Sequence, residues 1–222
     1  MTLLLTSNGL TPAIVQAFKQ VYKKPFEQSS VGFITTAAFG EEDGPEWNAI
    51  AWLEKHREQL REQKITDIEN IDLKEVNEYE LEEKLLSKDI LYINGGNTFY
   101  LLYWVRKRKL ENLLRIFLQR GRVYIGVSAG SIIACPTIES AGWEPADKNA
   151  VNLTDLKGLN LVPFLIHPHF KDIQKEQIQN HASYTKYPIV ALTNQQAILI
   201  NGKNIQLIGE PNRNFFNGFR TH

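Results

Sequence analysis

The feature that most constrains the fold is a regular alternation of short apolar runs with longer amphipathic segments. Leu3–Thr6, Val31–Thr35, Asp89–Ile93 and Val123–Val127 have the length and composition of buried strands. Amphipathic segments of helical length separate them. Because strands that alternate with helices usually pair in parallel, the sequence predicts a three-layer α/β fold with a mostly parallel sheet between helices.

The pattern changes after Gly158. Ala197–Ile200 and Ile205–Ile208 are strand-like and flank Asn201-Gly202, a dipeptide typical of a type I′ hairpin turn. We therefore expect the sheet to gain antiparallel strands at one edge. The stretch Glu139–Leu156 is the least regular part of the chain, and we predict a loop there that lies near the functional site.

Composition limits the classes of protein that this chain can belong to. Its 222 residues suit one α/β domain spanning 1–222. A formal net charge of +0 disfavours nucleic acid as a partner. No apolar run approaches the roughly 20 residues that span a bilayer, so no membrane partner is expected. Cys135 is the single cysteine, which excludes an intramolecular disulfide and favours a reducing, cytoplasmic location.

The strongest chemical motif is Gly126-Val127-Ser128-Ala129-Gly130, a G-x-S-x-G sequence at the end of an apolar strand. A strand, a sharp turn and a helix start are the context of a nucleophile elbow, with Ser128 at the turn. The glycines are needed because a side chain at either position would clash with the turn. The Ala129 amide then lies where an oxyanion develops. The alternative is a Gly-Ser turn without chemistry.

A second motif, Asn94-Gly95-Gly96-Asn97-Thr98, also follows a predicted strand. Sites in parallel sheets gather outside the carboxyl ends of the strands. Paired glycines let backbone amides approach a ligand closely, and Gly96 is a candidate for a second oxyanion donor. The alternative is a plain turn in which Asn97 caps the next helix.

A serine nucleophile needs a base, and the candidates are the two histidines of Ile166-His167-Pro168-His169-Phe170. No cysteine cluster or helical H-x-x-x-H spacing accompanies them, so we expect no metal. The orienting group should follow the late strand, but Thr193-Asn194-Gln195-Gln196 contains no acid.

Four motifs appear in a fixed order along the chain: Gly95–Phe99, Tyr124–Gly130, Ala134–Ile138 and Pro168–Phe170. In this order they resemble the peptidase E family, the α-aspartyl dipeptidases, which are relatives of cyanophycinase. The resemblance implies a flavodoxin-like sheet related to class I glutamine amidotransferases, and serine–histidine chemistry without a cofactor.

The resemblance also implies individual roles. The nucleophile falls on Ser128, and the base falls on His169 rather than His167. Gly96 and Ala129 correspond to the oxyanion hole. Asn97 and Thr98, in the same motif as Gly96, are the expected substrate-binding residues.

The sequence departs from the family at two places. Where the family has an acid after the late strand, this chain has Asn194. We predict that the Asn194 carbonyl orients His169, with a carboxylate of the irregular loop (Glu139, Glu144 or Asp147) as the alternative and Asp172 as a weaker one. The family's arginine-bearing segment after the base falls on Lys171–Asn180, which contains no arginine. We therefore expect little preference for N-terminal aspartate.

Together these features predict serine-dependent hydrolysis of peptide bonds in small peptides through an acyl-enzyme, by a monomer or a homodimer. Two alternatives remain at this stage. One is a non-catalytic binding protein on the same fold, which the missing acid would favour. The other is an esterase-type acyl hydrolase.

Overall fold

The structure is a computed structural model that describes residues 1–40 and 46–221, except for the side chains of residues 46 and 47. The strands are β1 Thr2–Thr6, β2 Ser30–Ile34, β3 Asp67–Ile71, β4 Ile90–Ile93, β5 Val123–Val127, β6 Leu165–His167, β7 Ile189–Ala191, β8 Ala197–Asn201, β9 Asn204–Ile208 and β10 Asn214–Phe216. The helices are α1 Pro12–Val21, α2 Glu46–Arg61, α3 Glu78–Leu86, α4 Thr98–Lys107, α5 Leu110–Gln119, α6 Ala129–Ile132 and α7 Lys175–Ala182.

A seven-stranded sheet in the order β3-β2-β4-β5-β1-β8-β9 forms the centre of the fold. Strands β1 to β5 pair in parallel, and β8 and β9 add two antiparallel strands at one edge. The run β3-β2-β4-β5 follows the 2-1-3-4 order of flavodoxin-like sheets, and β1 takes the place of the fifth strand. The prediction of a mostly parallel sheet with an antiparallel edge is therefore confirmed.

Both faces of this sheet are buried, which explains why its central strands are apolar throughout. Leu3 and Leu5 of β1 belong to one hydrophobic cluster, and Leu4 belongs to the cluster on the opposite face. Side chains of α4 and α5 complete the first cluster, whereas α1 contributes Ile14 and Phe18 to the second. Among the described helices, none is long and apolar enough to cross a bilayer.

The hairpin between β8 and β9 lies one residue later than the sequence predicts. Asn201 pairs with Thr2 on one side and Asn204 on the other, so it belongs to a strand and not to the turn. Gly202 and Lys203 form the turn, and of these two only Gly202 has a positive φ, of 65°. The predicted type I′ turn is therefore wrong, because it requires positive φ at both central residues.

A second sheet, which the sequence analysis does not predict, has three strands in the order β10-β7-β6. Strand β6 pairs in parallel with β7, and β10 pairs with β7 in the antiparallel direction. Each of its strands has only three residues, and the sequence does not show that they pair apart from the central sheet. This small sheet carries the segment around His167 and His169 towards the end of the central sheet.

A third histidine, His56, links α2 to the central sheet at a distance from His167 and His169. His56 is fully buried, and its Nδ1 lies 2.9 Å from the hydroxyl of Tyr92 on β4. Burial lowers the pKa of His56 to about 4, with the charge of Lys55 as a smaller cause. The folded protein therefore keeps this imidazole neutral at pH values where the unfolded chain would protonate it.

Acidification should for this reason destabilise the fold. The unfolded histidine binds a proton below about pH 6.5, so the free energy of unfolding falls from there down to about pH 4. We expect His56 to account for about 2 kcal/mol of the loss between pH 7 and pH 4.5. Urea unfolding at both pH values should show a smaller loss in His56→Gln than in the wild type. An equal loss in both proteins would contradict the assignment.

Candidate active site

Ser128 occupies the sharp turn between β5 and α6. Its backbone has φ 48° and ψ −109°, a conformation that costs a non-glycine residue free energy. A Cβ on Gly126 would lie 2.5 Å from the Gly130 carbonyl oxygen, and a Cβ on Gly130 would lie 2.2 Å from the Ile93 carbonyl oxygen. Both glycines are therefore required by the turn, as the sequence motif predicts.

The end of β1 holds this turn in place. The Thr6 carbonyl accepts a hydrogen bond from the Ser128 amide at 3.0 Å. The hydroxyl of Ser131 lies 2.8 Å from the Thr6 carbonyl and 2.9 Å from the Gly126 carbonyl, so its proton is shared between them. Hydrogen bonds to the neighbouring strands therefore hold the strained Ser128 backbone in place.

His169 lies between Ser128 and Asn194. Its Nε2 is 2.9 Å from the Ser128 hydroxyl oxygen, and its Nδ1 is 2.7 Å from the Asn194 side-chain oxygen. An amide oxygen only accepts, so Nδ1 carries the proton and Nε2 is left to accept the Ser128 hydroxyl proton. This tautomer is the one that a serine nucleophile needs.

Backbone pairing beyond β6 and β7 brings the histidine to this position. The Leu192 amide donates to the His167 carbonyl at 2.8 Å, and the Phe170 amide donates to the Leu192 carbonyl at 2.9 Å. His169 itself has a positive φ of 57°. Asn194 follows in the exposed turn between β7 and β8, within reach of the imidazole.

Ser7, which the sequence analysis misses, joins these residues. Its buried hydroxyl oxygen accepts a hydrogen bond from the His169 amide at 2.7 Å. The same hydroxyl donates to the Asn194 side-chain oxygen at 3.4 Å, which favours the orientation with that oxygen towards His169. The signal that could have revealed Ser7 is its position, since it is a polar residue directly after a buried parallel strand.

The loop between β4 and α4 lies against the serine. A Cβ on Gly95 would lie 3.0 Å from the Ser128 Cβ, and Gly96 has a φ of 128° that favours glycine. Within the described part of the chain, the N–H groups of Gly96 and Ala129 donate to no protein acceptor. These are the two amides that the sequence analysis assigns to an oxyanion hole.

Of the two residues after Gly96, one caps a helix and the other lines a cavity. Asn97 caps α4, where its side-chain oxygen accepts from the Tyr100 amide at 2.9 Å and its nitrogen donates to the Lys148 carbonyl at 2.8 Å. Thr98 lines the cavity beside Ser128. Asn97 therefore ties the start of α4 to the irregular loop, and Thr98 faces the space available to a ligand.

That cavity has a volume of about 70 Å³ and opens next to Ser128 and His169. Its other polar lining residues are Thr98, Ser140, Asp147, His167 and Gln174. Asp147 comes from the loop predicted to lie near the site. Its carboxylate accepts a hydrogen bond from the Thr98 amide at 2.8 Å. A carboxylate of this loop was the alternative partner for His169 Nδ1. In the structure that nitrogen lies next to Asn194.

Two other side chains that could take part in catalysis, His167 and Cys135, are buried. His167 is buried, and this burial lowers its pKa to about 4, so its imidazole is neutral at physiological pH. Burial raises the pKa of the Cys135 thiol to about 12, which leaves no thiolate for nucleophilic attack. Asp172 begins a short 3-10 helix, Asp172–Gln174. Among the described residues, no group of three or more His, Cys, Asp and Glu side chains could hold a metal ion.

A serine on a strained strand-to-helix turn, next to a histidine whose other nitrogen faces an acceptor, defines a serine hydrolase site on an α/β fold. The model of peptidase family S51 matches residues 3–208. The chain belongs to peptidase family S51, and it is a serine peptidase that hydrolyses peptide bonds. The predicted fold class, family and enzyme class are thereby confirmed.

Similar proteins agree with this assignment. An uncharacterized peptidase of Listeria monocytogenes is 35% identical over 143 residues, which cover 62% of this chain and 69% of the relative. A protein of Drosophila melanogaster named "Probable alpha-aspartyl dipeptidase" is 29% identical over 61% of this chain and 59% of its own length. The crystal structure of a "Putative Peptidase E Protein" from Listeria monocytogenes has a TM-score of 0.78 at 29% identity, with 94% of this chain and 98% of that chain covered.

The packing of Gly130 gives a direct test of the elbow. In Gly130→Ala the new methyl group meets the Ile93 backbone oxygen, so we expect a loss of at least about 2 kcal/mol in the free energy of unfolding. Gly142→Ala is the matched control, because nothing lies within 4 Å of a Cβ there. Denaturant unfolding should leave the control within about 0.5 kcal/mol of the wild type. Equal stability of the two variants would show that the turn is not packed as described.

Proposed function

We propose that Ser128 is the nucleophile of this peptidase and that His169 is its general base. The observation that carries the proposal is the continuous chain from the Ser128 hydroxyl through His169 to Asn194, with distances of 2.9 and 2.7 Å. Both distances are within the range for effective proton transfer and orientation.

The reaction follows from this arrangement. Ser128 Oγ attacks the carbonyl carbon of the scissile bond while His169 Nε2 takes its proton. The N–H groups of Gly96 and Ala129 stabilise the oxyanion that forms. His169 then gives the proton to the departing amine, which leaves an acyl-enzyme. A water molecule, activated by the same imidazole, hydrolyses the acyl-enzyme and restores Ser128.

With Asn194 next to His169 Nδ1, this site differs from a serine–histidine–acid triad. Its side-chain oxygen holds the productive tautomer of His169, since it accepts from Nδ1. It carries no charge and so adds little stabilisation to the imidazolium that forms in the transition state. We therefore expect turnover that is slow for a serine peptidase.

Small peptides are the proposed substrates. The cavity beside Ser128 has a volume of only about 70 Å³, which limits the size of the substrate residue that fits there. Thr98 contacts this substrate residue directly, and Asn97 acts through its cap on α4. No arginine or lysine is found among the described residues that line the cavity, so we expect little preference for N-terminal aspartate over alanine or leucine.

The setting of the enzyme is also a proposal. A single buried cysteine, Cys135, needs no oxidising environment, which favours the cytoplasm. The formal net charge of +0 argues against a nucleic-acid partner. A monomer or a homodimer is the proposed assembly.

Removal of the Ser128 hydroxyl tests the proposal. A screen of dipeptides, read by the masses of the products, should find hydrolysis by the wild type. Ser128→Ala should keep the fold and lose several orders of magnitude in rate. A fluorophosphonate probe should label the wild type at Ser128 and leave the variant unlabelled. Wild-type turnover by Ser128→Ala would refute the mechanism.

A restored acid tests the role of Asn194. Asn194→Asp places a carboxylate next to His169 Nδ1 and should raise kcat by tenfold or more, because the imidazolium then gains a counter-charge. Gln195→Glu is the matched control, since it adds the same charge at an exposed neighbouring position. An unchanged kcat in Asn194→Asp, or an equal gain in the control, would show that Asn194 is not the orienting residue.

A further inference from the structure

A second cavity lies between α7 and β10. It has a volume of about 560 Å³, and among the described residues it shares no lining residue with the cavity beside Ser128. One wall is the continuous segment 213–217, which contains β10. The other wall is a single face of α7 and its C-cap, with residues at helical spacing: Lys175, Gln179, Ala182 and Ser183. The cavity is therefore a groove between a helix and a strand, and we refer to it as the α7–β10 groove.

Strand β10 forms one edge of the three-stranded sheet. β7 pairs with it on one side, and no described strand pairs with it on the other. Phe215 and Phe216 both line the groove, although successive side chains of a strand point to opposite faces. This is expected where a groove runs along the edge of a strand and not over one face. An edge of this kind offers backbone N–H and C=O groups to a further strand.

The length of the groove defines the size of its occupant. From Lys175 to Ser183 the helix wall extends for about 12 Å. An extended chain covers that length with about four residues, whereas a dipeptide reaches only about 7 Å. The half-buried rings of Phe215 and Phe216 add apolar surface against which side chains of such a chain can pack. The groove therefore fits an extended segment of a longer polypeptide.

One end of the groove is cationic. β10 runs opposite to β7, and α7 also runs opposite to β7, because it leads from the end of β6 back to the start of its parallel neighbour. Lys175 and Arg213 therefore lie at the same end. Within the described part of the chain, neither side chain forms an ion pair or a hydrogen bond, and no Asp or Glu lines the groove. Two unpaired cations at one end of a groove attract a carboxylate.

We propose that the α7–β10 groove binds the carboxyl-terminal tail of a partner polypeptide as a strand added to β10. An antiparallel tail runs from Asn217 towards Arg213, so its terminal carboxylate arrives between the two cations. A parallel tail would place that carboxylate at the other end, where no Lys or Arg of the described chain lines the groove. Charge complementarity thus selects both the carboxyl terminus and the antiparallel direction. Backbone hydrogen bonds to the strand edge supply affinity in this mode of peptide recognition.

Peptides with free and with amidated carboxyl termini test the proposal. The probes are an array of hexapeptides that vary in the last four residues and carry fluorescein at the amino terminus. The protein is full-length Ser128→Ala, in which cleavage of the probes is not expected. Fluorescence polarisation should show that the tightest free-carboxylate peptides bind at least about tenfold more tightly than their amidated forms. Absence of binding by the free-carboxylate peptides, or equal affinity of the two forms, would overturn the proposal.

Substitution of the two cations locates the carboxylate. Lys175→Ala/Arg213→Ala should weaken the tightest free-carboxylate peptide by about tenfold or more and leave its amidated form unchanged. Arg120→Ala/Lys203→Ala is the matched control, because it removes two exposed cations outside the groove and should change the affinity by less than about twofold. An equal loss in both double variants would reduce the effect to net charge and overturn the proposal.

Hydrogen exchange of the full chain tests the added strand. Binding of the tightest peptide should slow the exchange of amides in β10, Asn214–Phe216, and leave the turn at Ser128 unchanged. Protection around Ser128 and His169 without protection of β10 would place the peptide in the catalytic cavity. That result would overturn the assignment of the groove.

Discussion

The candidate site depends on the carboxyl end of β1. The Thr6 carbonyl binds the amide of Ser128, and the Ser7 hydroxyl binds the amide of His169 and the side chain of Asn194. Strand β1 can do this because it lies between β5, which ends at the serine, and β8, which begins just after the Asn194 turn. Thr6, the last residue of β1, and Ser7, which follows it, therefore connect the serine, the histidine and the amide.

Ser128 and His169, the proposed nucleophile and base, both have a backbone with positive φ. Ser128 has φ 48° and His169 has φ 57°, and each such residue costs of order 1–3 kcal/mol. Hydrogen bonds to Thr6 and Ser7 hold the two conformations, and close packing at Gly126 and Gly130 fixes the Ser128 turn. In these turns the Ser128 hydroxyl oxygen and the His169 Nε2 lie 2.9 Å apart.

Much of the fold and part of the site can be predicted from local patterns. The apolar runs predict the parallel sheet, and the G-x-S-x-G motif predicts the elbow at Ser128, because both depend on residues close together in the chain. The choice of His169 over His167 does not follow from spacing and needed the family resemblance. The three-stranded second sheet and the shifted β8–β9 turn were missed, since pairing with distant strands determines them.

The sequence by itself determined the class of fold, the nucleophile motif and the absence of an acid from Thr193-Asn194-Gln195-Gln196 after the late strand. Only the tertiary structure decided that Asn194 faces His169, that Ser7 joins them and that Asp147 enters the cavity. The Ser7–His169 contact spans 162 residues and the Thr98–Asp147 contact spans 49. Contacts over such separations depend on the order of strands in the sheet, because local propensities act only over a few neighbouring residues.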